Sequence, residues 1–353
     1  MSTTDIPSSQ RLWRVVRKGK PADALVLDAN ASVPSDLAED QVLIKVDAAA
    51  LNPVGYKLMG MLPNLLSGRP FVAENDLAGT VVASNSAKHP VGERVFGYIP
   101  VPLQTKTKDG ALAQYARVPG DHVVRVPDHI STVEAAGITL AGETAYQCLV
   151  QFAQVEAGQT VFINGGSTSV GLLSIQIAKA LGCTVWTSAS AGNEDLVKSY
   201  GADVFLDYTK QPLHEQLKAN PPQPKFHAII DAVGLMDQTT YIHSADYLQP
   251  NGVFVTTFGG PKGSGFAAVR EVLDFVWAMR PVFLGGVNRK WKAMLTKHKE
   301  QELLQLAQWM EEGKLRPVVD SVFEFDDVLK AYEKLMGGHA KGKVVVRVNP
   351  QAK

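Results

Sequence analysis

Residues 160–190 constrain the fold of this chain more than any other stretch. They begin with a short apolar run at 160–164 and continue into a turn rich in glycine and serine at 165–171. Apolar residues then recur at helical spacing up to Gly182, and a second run rich in β-forming residues follows. This order of strand, tight turn, helix and strand predicts a βαβ unit with a glycine loop at its first turn.

Glycines at Gly165, Gly166 and Gly171 have a physical reason in such a unit. The turn must be tight, and the backbone must let a pyrophosphate and the following helix approach closely. The N-terminus of that helix offers N–H groups and a partial positive charge to phosphate. Ser169 stands where a middle glycine is common, and the alternative is an α/β turn that binds no nucleotide. Because strands of the right length flank the loop, we expect a dinucleotide site.

Composition excludes several classes of protein. The chain has 353 residues, enough for two domains, and 45% of them are hydrophobic. Lysine plus arginine and aspartate plus glutamate both number 35, so there is no basic excess to indicate a nucleic-acid partner. No apolar run approaches the roughly 20 residues of a membrane span, and the polar residues 1–10 lack the apolar core of a signal peptide. Cys148 and Cys183 lie in apolar stretches, which is typical of reduced, buried thiols in a cytoplasmic protein.

The pattern of elements predicts a discontinuous outer domain. In residues 12–130, short β-rich runs follow one another without strand–helix alternation, which indicates a barrel-like or Greek-key unit. From residue 131 strands and helices alternate, as in a parallel, doubly wound sheet. Past residue 285 we expect the chain to leave that sheet and complete the first unit. The predicted domains are therefore 1–130 plus 285–353, and 131–284.

Local signals predict individual elements. Ser131 and Glu134 fit a capping box at a helix start. A helix is expected near 238–248, before a strand at 252–258. Amphipathic helices are expected at 300–313 and at 326–336, the second capped by Asp326, and a strand from Lys343 closes the chain.

Seven short motifs, in this order along the chain, carry a resemblance to a known family. They lie on both sides of the glycine loop, at 51–57, 75–80, 92–97, 110–115, 140–146, 201–208 and 339–343. The chain resembles the zinc-independent quinone oxidoreductase and enoyl reductase branch of the medium-chain dehydrogenase/reductases, nearly end to end. The resemblance implies an α/β fold in which a doubly wound Rossmann domain is inserted in a GroES-like, β-barrel-type domain.

The sequence predicts that no metal is bound. A catalytic zinc needs three Cys, His or carboxylate ligands and an open fourth position. The zinc-dependent relatives carry Gly-His-Glu where this chain has Glu74-Asn75-Asp76, and a cysteine near the position of Asn52. The eight histidines show no ligand spacing.

Without a metal, the family resemblance implies hydride delivery to an activated alkene or quinone. Hydride on the β-carbon of an enone leaves charge on the carbonyl oxygen, which needs hydrogen bonds or a cation and then a proton. Lys57 is the first catalytic candidate and Tyr56 the second, and the alternatives are a solvated lysine and a core tyrosine. The resemblance implies that Asn52 orients the cofactor or its ribose. Gly55 stands where the family often has aspartate, which argues against a carboxylate-dependent proton relay there.

The choice of nicotinamide depends on the end of the second strand of the βαβ unit. Domains that bind NAD place an acid there on the ribose hydroxyls, whereas residues 187–190 read Thr-Ser-Ala-Ser. This predicts NADPH. By family position the 2′-phosphate would contact Ser190, Asn193, Lys198 and Tyr208. Glu194 and Asp195 would repel phosphate unless they point away, and helix capping is the other reading of Ser190 and Asn193.

Further contacts follow from the resemblance. It implies that some residues lie near the nicotinamide or close over the cofactor, namely Thr144, Thr257, Phe258, Gly259, Gly342 and Lys343. It implies that others surround the pyrophosphate, namely Gly166, Ser167, Thr168, Ser169, Val170 and Gly171. An apolar substrate cleft at 260–281 would include Phe266, Phe275, Trp277 and Met279, although helical spacing makes core packing the default for about half of that segment.

The resulting hypothesis is NADPH-dependent, zinc-free reduction of a conjugated C=C bond in an enone or enoyl thioester. The first alternative is a quinone reductase with the same apparatus. The second is a catalytically silent NADPH-binding protein that serves as an interaction subunit. The expected partner is a small-molecule or acyl-thioester substrate. Many relatives form a homodimer through the sheet edge near 282–287, whereas others are monomers.

Overall fold

The computed structural model describes residues 6–61, 63–234, 238–257 and 266–352. The described chain divides into two compact units, of which the first contains residues 1–143 and 297–353 and the second residues 144–296. In chain order the strands are β1 Ser9–Val15, β2 Leu25–Ser32, β3 Gln41–Ala50, β4 Phe71–Val72, β5 Asp76–Ser84, β6 Arg94–Tyr98, β7 Tyr115–Pro119, β8 Val123–Arg125, β9 Thr160–Asn164, β10 Thr184–Ala189, β11 Val204–Asp207, β12 Phe226–Asp231, β13 Leu248–Thr257, β14 Lys290–Met294, β15 Val319–Glu324 and β16 Lys343–Arg347. The helices are α1 Pro21–Ala24, α2 Pro53–Met61, α3 Val101–Thr107, α4 Thr132–Ala135, α5 Thr139–Tyr146, α6 Ser169–Ala180, α7 Glu194–Ser199, α8 Leu213–Ala219, α9 Thr239–Ile242, α10 Phe266–Ala278, α11 Glu300–Glu311 and α12 Val328–Met336.

The second unit is built on a parallel six-stranded sheet in the order β11-β10-β9-β12-β13-β14. Its central strands β9 and β12 are nearly continuous apolar runs, as expected for strands buried on both faces. The strand order reverses direction between β9 and β12, and such a reversal is where doubly wound sheets bind ligands. The predicted α/β, doubly wound domain is confirmed.

The first unit contains a seven-stranded sheet in the order β15-β16-β3-β5-β6-β8, with β7 pairing to β3, and a three-stranded sheet, β2-β1-β4. Strand β16, near the C-terminus, pairs with β3 from the N-terminal part of the chain. The core of the unit includes buried residues from both parts, among them Leu51 and Tyr332. The outer domain is therefore discontinuous, as the sequence predicted.

The division between the units differs from the predicted one at both ends. The chain enters the second unit after Glu143 and leaves it after Thr296. Residues 290–294 form β14, which lies parallel to β13 at the edge of the six-stranded sheet, so the expectation that the chain leaves this sheet at 285 is wrong. The strand was missed because its sequence, KWKAM, carries two lysines. Residues 282–284, part of the expected dimer edge, form a 3₁₀ turn instead.

Two local predictions also need correction. Only a short helix, α9, and a 3₁₀ turn occupy 238–248, because β13 already begins at Leu248. Asp326 lies in a 3₁₀ turn before α12 and pairs with Arg11, so it does not cap that helix. The capping box of Ser131 and Glu134 is confirmed in both hydrogen bonds. Among the described residues, no helix is long and apolar enough to cross a membrane.

Candidate functional site

The glycine loop between β9 and α6 has no room for a side chain where α6 and β10 come closest to it. Gly165 has a φ of 81°, in the left-handed region that favours glycine. A Cβ on Gly171 would lie 2.2 Å from the carbonyl oxygen of Gly165, and one on Gly166 would lie 2.1 Å from Thr187 Oγ1. The helix therefore starts against the backbone of the turn, as the sequence predicted for a phosphate loop.

Thr168 is the N-cap of α6. Its hydroxyl accepts a hydrogen bond from the N–H of Gly171 at 3.0 Å and donates one to the carbonyl of Gly165 at 2.8 Å. Its side chain therefore stabilises the loop, and its hydroxyl already has hydrogen-bond partners within the protein. The first turn of an α-helix has further N–H groups without intrahelical partners, and these suit an anionic pyrophosphate.

A line of polar side chains ties the loop to the carboxyl ends of neighbouring strands. Ser188 Oγ accepts from the N–H of Gly165 at 3.2 Å and donates to Asn164 Oδ1 at 2.8 Å. Asn164 Nδ2 donates in turn to Asp231 Oδ1 at 3.0 Å. Thr257 Oγ1 donates to the backbone carbonyl of Asp231 at 3.0 Å, so the predicted contact Thr257 belongs to this line. The network fixes the strand ends around the switch point between β9 and β12.

The predicted 2′-phosphate residues lie where β10 and β11 end. Asn193 Nδ2 donates to Ser190 Oγ at 3.0 Å, while Asn193 Oδ1 is buried without a partner. An orphaned buried amide oxygen fits a ligand that brings its own donor, such as a ribose hydroxyl, and an amide flip would present N–H donors to a phosphate instead. Lys198 is paired with Glu194 at 2.6 Å, and both side chains are partly exposed. Tyr208 is 53% exposed just past β11.

The remaining predicted contacts divide between described and undescribed residues. Thr144 Oγ1 lies 2.6 Å from Thr296 Oγ1, at the two points where the chain enters and leaves the second unit. Phe258 and Gly259 lie outside the described residues, as do 260–265 of the expected substrate cleft.

The four predicted substrate residues do not form one surface. Phe275 packs edge-on against Trp291, with ring centroids 5.2 Å apart, and Met279 packs on the core of the second unit. Phe266 and Trp277 are exposed on α10, at 86% and 68%. Phe275 and Met279 therefore take the packing role that the spacing allowed, whereas Phe266 and Trp277 stay exposed, with Arg280 over the ring of Trp277 at 4.6 Å.

The first unit contains a buried polar cluster centred on Lys343. Its ammonium donates to Asn52 Oδ1 at 2.6 Å and to Asp76 Oδ2 at 3.0 Å, and all three side chains are buried. Asn52 Nδ2 donates to Asp76 Oδ2 at 3.0 Å and to the carbonyl of Ala50 at 3.3 Å. Because ammonium only donates and carboxylate only accepts, the amide of Asn52 has a single orientation. With both donors used, Asn52 can offer a ligand only its oxygen.

This cluster does not fit zinc. At the positions where zinc-dependent relatives carry ligands, the chain places an amide and a carboxylate already bridged by the Lys343 ammonium. Among the described residues, no three His, Cys, Asp or Glu side chains are grouped as metal ligands. The ammonium of Lys343 would repel a zinc ion, and the cluster offers the ion no thiolate or imidazole. Zinc therefore has no favourable site in this cluster.

Glu74 is the fourth member of the cluster, and the sequence interpretation missed its role. Its Oε2 accepts the N–H of Asn52 at 3.1 Å, and its Oε1 accepts the hydroxyl of Tyr332 at 2.5 Å. Burial raises the pKa of Glu74 to about 7, against the opposing effects of Tyr332, Lys343 and Asn52. The only signal in the sequence was the triplet Glu74-Asn75-Asp76, whose two acids indicated only that the zinc ligands of the relatives are absent.

Helix α2 carries both catalytic candidates. Tyr56 is half-buried against the core, and its burial raises the pKa, so the hydroxyl stays protonated and can donate. Lys57 is also partly exposed on this helix. At the C-terminal end, Arg69 Nη2 donates to the carbonyls of Leu58 and Met59 at 3.1 and 3.0 Å, a favourable cation at that pole.

Comparison with known proteins agrees with this fold. Residues 38–128 match the family model described as alcohol dehydrogenase GroES-like domain, and residues 200–346 match the one described as zinc-binding dehydrogenase. The chain is 36% identical over 359 residues to the trans-enoyl reductase pgmF of Aspergillus terreus, covering 98% of each chain. It is 33% identical to the chloroplastic NADPH-dependent alkenal/one oxidoreductase of Arabidopsis thaliana, covering 97% of this chain and 80% of the relative.

A solved structure has a similar fold. The quinone oxidoreductase from Coxiella burnetii is 27% identical, with a TM-score of 0.76, and the match covers 97% of this chain and 100% of that one. The chain belongs to the medium-chain dehydrogenase/reductase family, in its enoyl and quinone reductase branch, and it is an oxidoreductase.

Proposed function

We propose that the chain reduces a conjugated C=C bond of an enone or enoyl thioester, with NADPH as hydride donor and without a bound metal. The observation that carries the proposal is the buried Lys343 ammonium, bonded to Asn52 and Asp76 at the ligand positions of the zinc-dependent relatives. The similarity to a trans-enoyl reductase and to an NADPH-dependent alkenal/one oxidoreductase supports the same chemistry.

The chain's own residues would serve the reaction as follows. Bound NADPH would supply the hydride. When hydride reaches the β-carbon, negative charge develops on the carbonyl oxygen of the substrate, and a hydrogen-bond donor stabilises it. Lys57 and the protonated hydroxyl of Tyr56 are donors of this kind, and either can deliver the proton that completes the saturated product. Asn52 can accept a hydrogen bond from a hydroxyl of the cofactor.

A direct assay tests the proposal. NADPH oxidation would be followed with enones, enoyl thioesters and quinones, with NADH in parallel, and with a chelator in matched samples. We expect turnover of at least one α,β-unsaturated carbonyl, a preference for NADPH, and no loss on chelation. Tight NADPH binding with no turnover of any substrate would instead favour the silent interaction protein.

Quinone reduction is the second candidate. It rests on the similarity to the quinone oxidoreductase of Coxiella burnetii, which shares the fold over its full length. Turnover restricted to the quinones in the same panel would establish it and reject the enoyl assignment.

Replacing Lys57 by alanine should lower turnover while leaving NADPH affinity nearly unchanged. General acid–base groups typically contribute about 10²–10⁴-fold, so we expect a fall of at least tenfold in kcat. The NADPH dissociation constant, measured by fluorescence titration, should stay close to that of the wild type. As a matched control, Lys45→Ala changes an exposed lysine of β3 in the same unit and should leave both values unaltered. An unchanged kcat in Lys57→Ala would reject this residue as donor.

The change Ser190→Asp should shift the preference from NADPH towards NADH. An acid at the end of β10 can hydrogen-bond ribose hydroxyls and repels a 2′-phosphate. We expect NADPH to bind at least about tenfold more weakly, equivalent to about 1.4 kcal/mol. The ratio of kcat/KM for the two cofactors would show the shift, with Ser190→Asn as the neutral control. If the ratio stayed constant, the 2′-phosphate would not be recognised at this position.

A further inference from the structure

Helix α2 has an incomplete N-terminal cap within its own sequence. Asn52 precedes the helix, Pro53 is its first residue and Gly55 its third. In a capping box, the acidic side chain of the third residue accepts the backbone N–H of the N-cap residue. Gly55 has no side chain to do so.

The missing acceptor arrives from elsewhere in the fold. Glu74 Oε2 accepts the N–H of Asn52 at 3.1 Å, from a position 22 residues further along the chain. A Cβ built on Gly55 would lie 2.3 Å from Glu74 Oε1 and 3.0 Å from its Cδ. The carboxyl group of Glu74 therefore occupies the space that a side chain at position 55 would fill.

Glu74 is held firmly in this place. Its φ of 61° lies in the left-handed region, which is unfavourable for a residue with a Cβ. Its backbone carbonyl accepts from the N–H of Ala111 at 3.0 Å and from Gln104 Nε2 at 2.9 Å, which fixes the conformation. Moving the carboxyl group aside would also break its hydrogen bonds to Asn52 and Tyr332, so it cannot yield cheaply to a new neighbour.

We propose that Glu74 is a positioning residue, whose carboxyl group completes the cap of α2 from another part of the same chain. The effects of substitutions at Gly55 and Glu74 should therefore depend on each other. Through Glu74, the segment between β4 and β5, together with Tyr332 of α12, fixes the start of the helix on which Tyr56 and Lys57 lie. A negative charge at this helix pole is also favourable. The functional part of the inference rests on the proposed function of Lys57 and Tyr56, whereas the structural part does not.

The charged and titratable groups facing Glu74 are Asp76 on β5, Lys343 on β16 and Tyr332 on α12. As a carboxylate, Glu74 accepts from both of its donors, whereas its protonated form must turn one oxygen into a donor. Glu74→Gln keeps one oxygen for the N–H of Asn52 and cannot ionise. This variant should retain most of the turnover. Its turnover should vary less with pH near neutrality than that of the wild type.

Two double-mutant cycles test the proposal, with melting temperature and turnover as readouts. Gly55→Ala alone should lower the melting temperature, although alanine normally favours a helix, and Glu74→Ala added to it should remove that penalty without restoring turnover. Glu74→Ala alone should lower the melting temperature by about 2–4 °C, as for loss of one cap in a domain of this size, and kcat by about tenfold or more. Gly55→Glu combined with Glu74→Ala should recover both, because the acid then lies on the helix itself.

A control separates this rescue from a general effect of added charge. Asp109 is another largely buried acid of the first unit, paired with Arg117 at 3.1 Å. Gly55→Glu should give no recovery in an Asp109→Ala background. Additive penalties in both cycles, or wild-type turnover and stability in Gly55→Ala, would overturn the proposal. If the wild type reduced no substrate of the panel, the proposed function would fail, but the melting temperatures would still decide whether Glu74 completes the cap.

Discussion

Lys343→Met should destabilise the first unit by about 3–5 kcal/mol, the cost of leaving a buried charge without its partner. Asp76 is fully buried, and its carboxylate lies 3.0 Å from the ammonium of Lys343. Methionine matches the length of the lysine but cannot donate to Asp76 or Asn52. Chemical denaturation, read with a probe in the first unit, would measure the loss.

Two further variants show whether this loss comes from the unpaired charge. Asp76→Asn in the Lys343→Met background removes the orphaned carboxylate and should recover part of the stability. Lys88→Met breaks an exposed pair with Glu300 and should leave the unfolding midpoint almost unchanged, since exposed pairs are weak. A small effect of Lys343→Met, or no recovery in the double variant, would contradict a buried ion pair at this place.

Gly171→Ala should weaken binding of the reduced dinucleotide by about tenfold or more. The added Cβ would lie 2.2 Å from the carbonyl oxygen of Gly165, and a backbone atom in a tight turn cannot move aside. Overpacking of this kind costs about 1–3 kcal/mol, and about 1.4 kcal/mol corresponds to a factor of ten in the dissociation constant. Calorimetric titration with NADPH would measure the change.

The matched control is Gly60→Ala, at an exposed helical glycine where the added Cβ meets nothing within 4 Å. It should leave dinucleotide affinity unaltered and stabilise α2 by about 0.5–1 kcal/mol. If Gly171→Ala bound NADPH as tightly as the wild type, the loop between β9 and α6 would not be the phosphate site.

The doubly wound sheet could be predicted because its signals are local. The turn at 165–171, the stripe along α6 and the buried run of β12 each depend on neighbouring residues. Strand β14 could not be predicted, because its two lysines interrupt the apolar pattern and the strand is defined by its pairing with β13. Edge position makes such polar residues tolerable in a strand.

The polar cluster of the first unit lay beyond sequence reasoning for a different reason. Lys343 and Asp76 are separated by 267 residues, and Tyr332 and Glu74 by 258, so no local pattern relates them. Gly55 was read only as the loss of a carboxylate. The structure shows that a carboxylate is present at that place, supplied by Glu74.

The pairing of β16 with β3 has a consequence for how the chain is made. On a ribosome, residues 144–296 emerge complete and can fold as a unit, while the N-terminal segment still waits for its last strand. Asp76 lacks the counter-charge of Lys343, and Asn52 lacks its donor, until residue 343 leaves the exit tunnel, so this buried cluster forms only after the whole second unit has been synthesised. Removal of β16 would therefore leave the second unit with all of its strands and the first unit without the strand that pairs with β3.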